Sequence, residues 1–412
     1  MRCTRSSRGS AQPTSACSCR ISTAASRSTR RSNVSVSPSR SSSAASRAAW
    51  PDRSAIRIAQ STIRDTLSVI LVHTDRFAEH QTPPGHPERP ERAEVFDAVA
   101  NRWRRKGTEI VAPRAVTDEQ LARVHDPDYI RRISETTGRA VALDPDTYTS
   151  PESYEIARLA AGATIDAVER VMGGTNRAAV AMVRPPGHHA ERSRAMGFCL
   201  FNNVACGAAH ACTLGARRVA IVDYDVHHGN GTQHIFDVDP HVLYISTHQY
   251  PYYPGTGAAD EIGRDAGRGF TVNVPLDAGA VSEDYELVFA RVVSPVLRQF
   301  EPDLLMVSAG FDAHESDPLG GMRLTAESFA AMTLELRAVA EECCRGRLVA
   351  VTEGGYDLQA LGTSLDAVIT TLSGPVSPPR WPSSGIASSR GRSAAQAVAQ
   401  ALTGFWKLDG HR

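Results

Sequence analysis

Val219-Ala220-Ile221-Val222-Asp223-Tyr224-Asp225-Val226-His227-His228-Gly229-Asn230-Gly231 opens as an apolar run and ends in carboxylates, imidazoles and glycines. A run this short, rich in β-branched side chains, reads as a strand buried on both faces. Successive side chains of an extended chain point to opposite sides, so Asp225 and His227 are expected to leave the end of that strand from one face. One carboxylate and one imidazole would then share a metal.

Similar apolar runs occupy residues 68–72, 179–183, 218–222, 242–245, 270–274, 304–308 and 348–352. Helical patterns lie between most of them. Residues 151–172 place Ile156, Leu159, Ala160, Ala163, Val168 and Val171 at helical spacing, and residues 282–300 do the same with Tyr285, Val288, Phe289, Val292 and Val296. Strands alternating with helices predict an α/β fold, a parallel sheet covered on both faces. Such sheets bind ligands beyond the carboxyl ends of their strands. The polar motifs of this chain follow Val183, Val222, Ser308 and Thr352, where that rule puts a site.

Composition narrows the function classes. The 412 residues carry 45 basic and 45 acidic side chains, but residues 1–51 hold nine of the arginines and no acid, which leaves 36 basic against 45 acidic residues elsewhere. An acidic globular part argues against direct nucleic-acid binding and suits cationic partners such as lysine-rich peptides or polyamines. No C-x-x-C pair occurs among the eight cysteines, so no zinc ribbon or disulfide framework is expected, and the reading is of a protein in a reducing, cytoplasmic setting. No apolar run is long enough to span a membrane. Residues 1–66 are rich in Ser and Arg and poor in acids, as transit peptides are, but the preferred expectation is a disordered tail or a start codon placed too far upstream rather than a targeting segment. Residues 67–374 read as the catalytic domain. Residues 375–412 read as a Pro/Ser/Gly-rich surface connection followed by a short helix, over 394–406, packed back on it.

The chemistry comes from several strand ends together. Asp312 follows another apolar run, in Val307-Ser308-Ala309-Gly310-Phe311-Asp312, and is the third candidate metal ligand beside Asp225 and His227. Two carboxylates and an imidazole, with no thiolate, suit Zn²⁺, and Fe²⁺ satisfies the same geometry. His188 and His189 follow the run ending at Val183; beside a dication they need different roles, one held charged by a carboxylate and the other neutral and able to act as a base. Tyr356, in Glu353-Gly354-Gly355-Tyr356, is the candidate donor to a developing oxyanion.

Taken in order, Gly85-His86-Pro87-Glu88-Arg89-Pro90-Glu91-Arg92, Arg184-Pro185-Pro186-Gly187-His188-His189-Ala190, Gly197-Phe198-Cys199-Leu200-Phe201-Asn202-Asn203, the Asp223 to Gln233 segment, Ser308 to Asp312, Asp317-Pro318-Leu319-Gly320-Gly321 and Glu353-Gly354-Gly355-Tyr356 resemble the histone deacetylase family. The resemblance covers about residues 68–374 and is nearest to the class II branch and its bacterial relatives, which include the acetylpolyamine amidohydrolases. It implies the arginase/deacetylase fold, a three-layer α/β/α sandwich with a mostly parallel sheet of about eight strands. It implies that Asp225, His227 and Asp312 bind zinc, that His188 pairs with Asp223 and His189 with Asn230, and that a structural K⁺ sits by Asp223, Asp225, His227, Ser246 and Thr247. It also implies a narrow tunnel for the acetyl-lysine stem, flanked by Phe198 and Tyr253 with Gly197 and Leu319, and it puts Glu152 where some relatives carry a serine that accepts the substrate's amide N–H, so that a carboxylate at the rim is expected to attract a cationic substrate. Tyr253 stands where relatives commonly carry Phe.

The activity expected on this basis is zinc-dependent hydrolysis of N-acetyl groups from acetyl-lysine in peptides or proteins. The alternative is an acetylpolyamine amidohydrolase, and a third reading is an inactive module that binds acyl-lysine. Leu319 separates the first two: a polyamine enzyme gains from an acidic group there, whereas leucine offers only apolar contact. An oligomer is compatible with all three.

Overall fold

The computed structural model describes residues 69–408, and the expectations for residues 1–66 fall outside that range. Its strands are β1 (Ile70–Val72), β2 (Glu109–Val111), β3 (Val141–Ala142), β4 (Tyr148–Thr149), β5 (Ala178–Ala181), β6 (Val219–Asp223), β7 (Val242–Gln249), β8 (Thr271–Leu276), β9 (Leu304–Ala309) and β10 (Leu348–Thr352). Eight of them form one sheet in the order β2-β1-β5-β10-β9-β6-β7-β8, and every pairing in it is parallel. β3 and β4 make a separate antiparallel pair.

Alternation along the strands builds the layers. In β6, Val219 and Ile221 enter one buried cluster while Ala220 and Val222 enter the other. β10 divides in the same way, Val349 and Val351 against Leu348 and Ala350. One face is covered by helices Ser153–Met172 and Asn203–Thr213, the other by Glu91–Arg105, Ala326–Cys344 and Leu358–Ser373. A three-layer α/β/α sandwich results, and its inner strands β5, β6, β9 and β10 are buried along their whole length because neither face meets water.

Sheet order explains where a site forms. The chain runs β6, β7, β8 toward one edge, then returns to lay β9 against the other side of β6, followed by β10. The direction of winding reverses between β6 and β9. A crevice opens beyond the carboxyl ends of strands at such a reversal.

Three elements differ from their sequence patterns. β2, the eighth strand, has only three residues at a sheet edge, too few for any periodicity. The helix expected over 282–300 runs as Ser282–Val288 and Ser294–Phe300 joined by a π turn, Phe289–Val293, in which Ser294 N–H bonds to the Phe289 carbonyl. Pro295 explains it, since its missing N–H breaks the regular ladder at that turn. The last helix spans Ser389–Ala401, five residues ahead of the expected start. Its first turn is polar, and Gly391 N–H donates to Asp284 Oδ1 at 2.8 Å. Ala394, Ala395 and Val398 are buried against the core. Among the described residues no helix is long and apolar enough to cross a membrane.

Candidate active site

β6 ends at Asp223, so Asp225 and His227 stand on the loop beyond it, not on the strand itself. The loop is pinned: Asp225 N–H donates to Asp223 Oδ1 at 3.1 Å and Val226 N–H to Asp312 Oδ1 at 2.9 Å. His227 Nδ1 lies 3.1 Å from Asp225 Oδ1 and 3.2 Å from Asp312 Oδ2. One ligand atom from each of the three residues falls within 4.8 Å of the others.

The surroundings fit a cation. Asp225 and Asp312 are wholly buried, and two adjacent buried carboxylates are stable only beside positive charge. Glycines close the cradle: a Cβ on Gly310 would lie 2.0 Å from Asp225 Oδ2, and one on Gly354 would lie 2.1 Å from Asp312 Oδ2. Gly354 N–H donates to Asp225 Oδ2 at 2.8 Å, fixing that oxygen. Carboxylate oxygens with one imidazole nitrogen are a donor set for a divalent metal.

The two histidines that follow β5 are differentiated by their partners. His188 Nδ1 is 3.0 Å from Asp223 Oδ2, which also accepts from the Tyr244 phenol at 3.0 Å. Burial opposes a proton on His188, but the Asp223 and Asp225 carboxylates outweigh it and raise the group to about 10. His189 Nδ1 faces Asn230 Oδ1 at 2.8 Å. Burial, then the neighbouring His188 and His227, push His189 well below the usual imidazole range. A charged and a neutral imidazole therefore sit with ring centres 4.0 Å apart.

Buried polar groups absent from the candidate set hold this arrangement. Glu353 Oε2 accepts from Gly187 N–H at 2.6 Å and His188 N–H at 3.1 Å, and its Oε1 accepts from Ser308 Oγ at 3.1 Å, joining the ends of β5, β9 and β10. Asp317 Oδ2 accepts from Tyr356 N–H at 2.6 Å while its Oδ1 accepts from Leu319 N–H at 2.9 Å. Arg92 donates to the carbonyls of Gly355 at 2.8 Å and Glu353 at 2.5 Å, and its guanidinium lies 5.2 Å from the centre of the Tyr356 ring. Glu353 and Asp317 stand inside motifs visible in the sequence. Arg92 stands in the Gly85 to Arg92 motif with its ion-pair partner Glu88, but the Gly355 and Glu353 carbonyls it also binds lie some 260 positions away, so nothing local shows that it braces the Tyr356 turn.

A cavity of about 200 Å³ reaches the site. His189, His227 and Tyr356 form part of its lining, with Phe198, Gly197, Tyr253 and Leu319 around them. Gly197 has φ +57°, and a Cβ there would lie 2.3 Å from His189 Cδ2, so the wall closes on the imidazole only because this residue has no side chain. Tyr252 also lines the cavity; its ring stacks on His227 at 5.6 Å, and its phenol donates to the Leu319 carbonyl at 3.3 Å. Burial and then the Asp312 carboxylate push the Tyr356 phenol well above its ordinary value, so it stays a donor. Ser246 and Thr247 are fully buried, with Thr247 Oγ1 3.5 Å from the Asp223 carbonyl.

Glu152 is not brought to the rim. It is exposed at the start of helix Ser153–Met172, because Ser153 turns inward to His80 Nδ1 at 2.7 Å and Ser150 N–H at 2.6 Å and leaves its neighbour facing out. The carboxylate that lines the cavity is Asp146, whose backbone carbonyl accepts from His86 Nε2 at 3.0 Å.

A parallel α/β sandwich with two carboxylates and three imidazoles gathered at its winding reversal defines a class, α/β proteins with a candidate metal site beyond the strand ends. Residues 86–372 match the sequence profile of the histone deacetylase domain, and the chain belongs to the histone deacetylase family. It is 41% identical to histone deacetylase 15 of Arabidopsis thaliana over 313 residues, 74% of this chain and 55% of that protein. It is 39% identical to the polyamine deacetylase HDAC10 of Homo sapiens over 337 residues, 76% of this chain and 49% of that one. The chain thus spans about half the length of these two relatives. The crystal structure of the HDA15 HD domain superposes with a TM-score of 0.76 at 37% identity, covering 82% of this chain and 95% of that one. Membership puts the chain among hydrolytic enzymes.

Proposed function

We propose that the chain hydrolyses the N-acetyl amide of acetyl-lysine in peptides or proteins. The observation that carries this reading is the placement of a neutral His189 and a protonated Tyr356 on the wall of one cavity, beside the Asp225, His227 and Asp312 group. A zinc ion held by those three residues would polarise the acetyl carbonyl and lower the pKa of the attacking water. His189 takes the proton of that water through Nε2, since Nδ1 is engaged by Asn230. Tyr356 donates its hydroxyl to the oxyanion. His188 stays an imidazolium on Asp223 and lends fixed positive charge, while His189, whose charged form is disfavoured by burial, is the stronger acid and returns the proton to the leaving amine. Asp223, Asp225, His227, Ser246 and Thr247 would hold a structural K⁺, partly through backbone oxygens.

Phe198 and Tyr253 give the cavity aromatic walls suited to a four-carbon stem, and Leu319 adds an apolar contact. The second reading, acetylpolyamine hydrolysis, draws on Asp146 at the cavity and on the human relative named for that activity. A carboxylate at the position of Leu319 would pair with a second ammonium; leucine does not. Purified protein assayed with acetyl-lysine peptides, acetylspermidine and acetylputrescine should give the higher kcat/KM on the peptides. A clear preference for either polyamine would replace this reading with the second.

A further inference from the structure

Asn230, the partner of His189, has a partner of its own. Its Nδ2 donates to Glu191 Oε1 at 2.6 Å while its Oδ1 lies 2.8 Å from His189 Nδ1. A carboxamide is ambivalent here, because its two ends have nearly the same shape and either one can meet an imidazole. A carboxylate only accepts, so the NH₂ end of Asn230 must turn to Glu191 and the oxygen is left for His189. An imidazole facing that oxygen must carry its proton on Nδ1, which leaves the Nε2 lone pair for the cavity.

Glu191 is itself held from two sides. His234, half-exposed one turn along helix Asn230–Phe236, approaches Glu191 Oε1 with Nδ1 at 2.8 Å, and the Glu191 carbonyl accepts from the buried His125 Nδ1 at 2.9 Å. We propose that Glu191 is a positioning residue for catalysis, which sets the orientation of the Asn230 amide and through it the tautomer of His189. The inference rests on the reading of His189 as the base. It explains how a neutral asparagine can orient that base as firmly as a charged partner would, without adding negative charge that would hold the imidazole protonated.

The test uses the full chain loaded with zinc, as wild type, Glu191→Ala, Glu191→Gln, Asn230→Ala and the double variant Glu191→Ala/Asn230→Ala. Glu191→Ala should lower kcat on an acetyl-lysine peptide on the order of tenfold, with KM, zinc content and melting temperature little changed. Glu191→Gln keeps an accepting oxygen and should recover most of the rate. In the Asn230→Ala background, Glu191→Ala should add nothing, because its effect passes through the missing amide. Histidine ¹⁵N spectra, with the His189 signal assigned by its absence in His189→Ala, should show the Nδ1–H tautomer in wild type and a mixture in Glu191→Ala. An unchanged kcat, additive effects in the double variant, or an unaltered tautomer in Glu191→Ala would overturn the proposal. Absence of turnover in wild type would instead sink the deacetylase reading and leave the tautomer to decide this one.

Discussion

Tyr356 enters the cavity as a neutral phenol whose backbone and ring are both fixed, by Asp317 on the N–H and by Arg92 against the face of the ring. Its value under the proposed mechanism lies in one hydrogen bond made more strongly in the transition state than in the ground state. Tyr356→Phe should therefore lower kcat roughly a hundredfold while KM changes little; steady-state kinetics on an acetyl-lysine peptide measure both, and a loss carried by KM would give the phenol a binding role. At this scale the sequence was a good guide to groups that carry charge in short motifs. Asp225, His227, Asp312, His188, His189 and Tyr356 converge as their motifs suggested, and the expected pairs His188–Asp223 and His189–Asn230 are present in the structure. Glu152 was a poorer choice, because which of two nearby acids faces the cavity depends on the turn set by Ser150 and Ser153, and side-chain direction in an irregular loop has no period to read.

Loops after β5, β6, β9 and β10 supply nearly all of the site, and their closeness comes from parallel neighbours ending at one level. Ser308 pairs in register with both Asp223 and Val351, which puts the ends of β6, β9 and β10 side by side. The Glu353 to Tyr356 turn is the tightest joint in this set. Gly354→Ala would place a methyl 2.1 Å from Asp312 Oδ2 and 2.7 Å from Asp225 Oδ2, so it should weaken zinc binding by on the order of tenfold or more. Bound metal per chain, read with the melting temperature, checks this; full zinc occupancy at wild-type affinity would show that the turn has slack. Seven of the eight sheet strands were legible as apolar runs, since strands buried on both faces leave that trace. β2 left none, being three residues long at an edge, and the π turn at Phe289–Val293 was hidden because its apolar positions keep helical spacing while only the hydrogen bonds shift.

Across the whole molecule, the opening loop is bound to the sheet through a buried charge cluster. Glu88 Oε1 lies 2.6 Å from Arg184 Nε and 3.0 Å from Arg92 Nη1, and all three side chains are fully buried. Burial alone would raise Glu88, but Arg184 and Arg92 outweigh it and lower the group to about 2. A carboxylate depressed in the folded state contributes stability that is complete above its ordinary value and is lost as pH falls through the folded one. The stability gap between wild type and Glu88→Gln, about 3–5 kcal/mol at neutral pH for a broken buried pair, should close as pH falls from about 4.5 toward about 2. Denaturation at a series of pH values measures it, and a constant gap would mean that Glu88 acts by packing alone. The same cluster sets Arg92 under Tyr356, so fold stability and the proposed chemistry share residues that no local pattern connects. The most direct test of the central claim is turnover of an acetyl-lysine peptide before and after bound metal is stripped, and again after zinc is returned at one equivalent per chain. Loss of activity on stripping and its recovery at one equivalent are expected, with no recovery in Asp312→Ala; turnover that survives complete removal of metal would contradict the account.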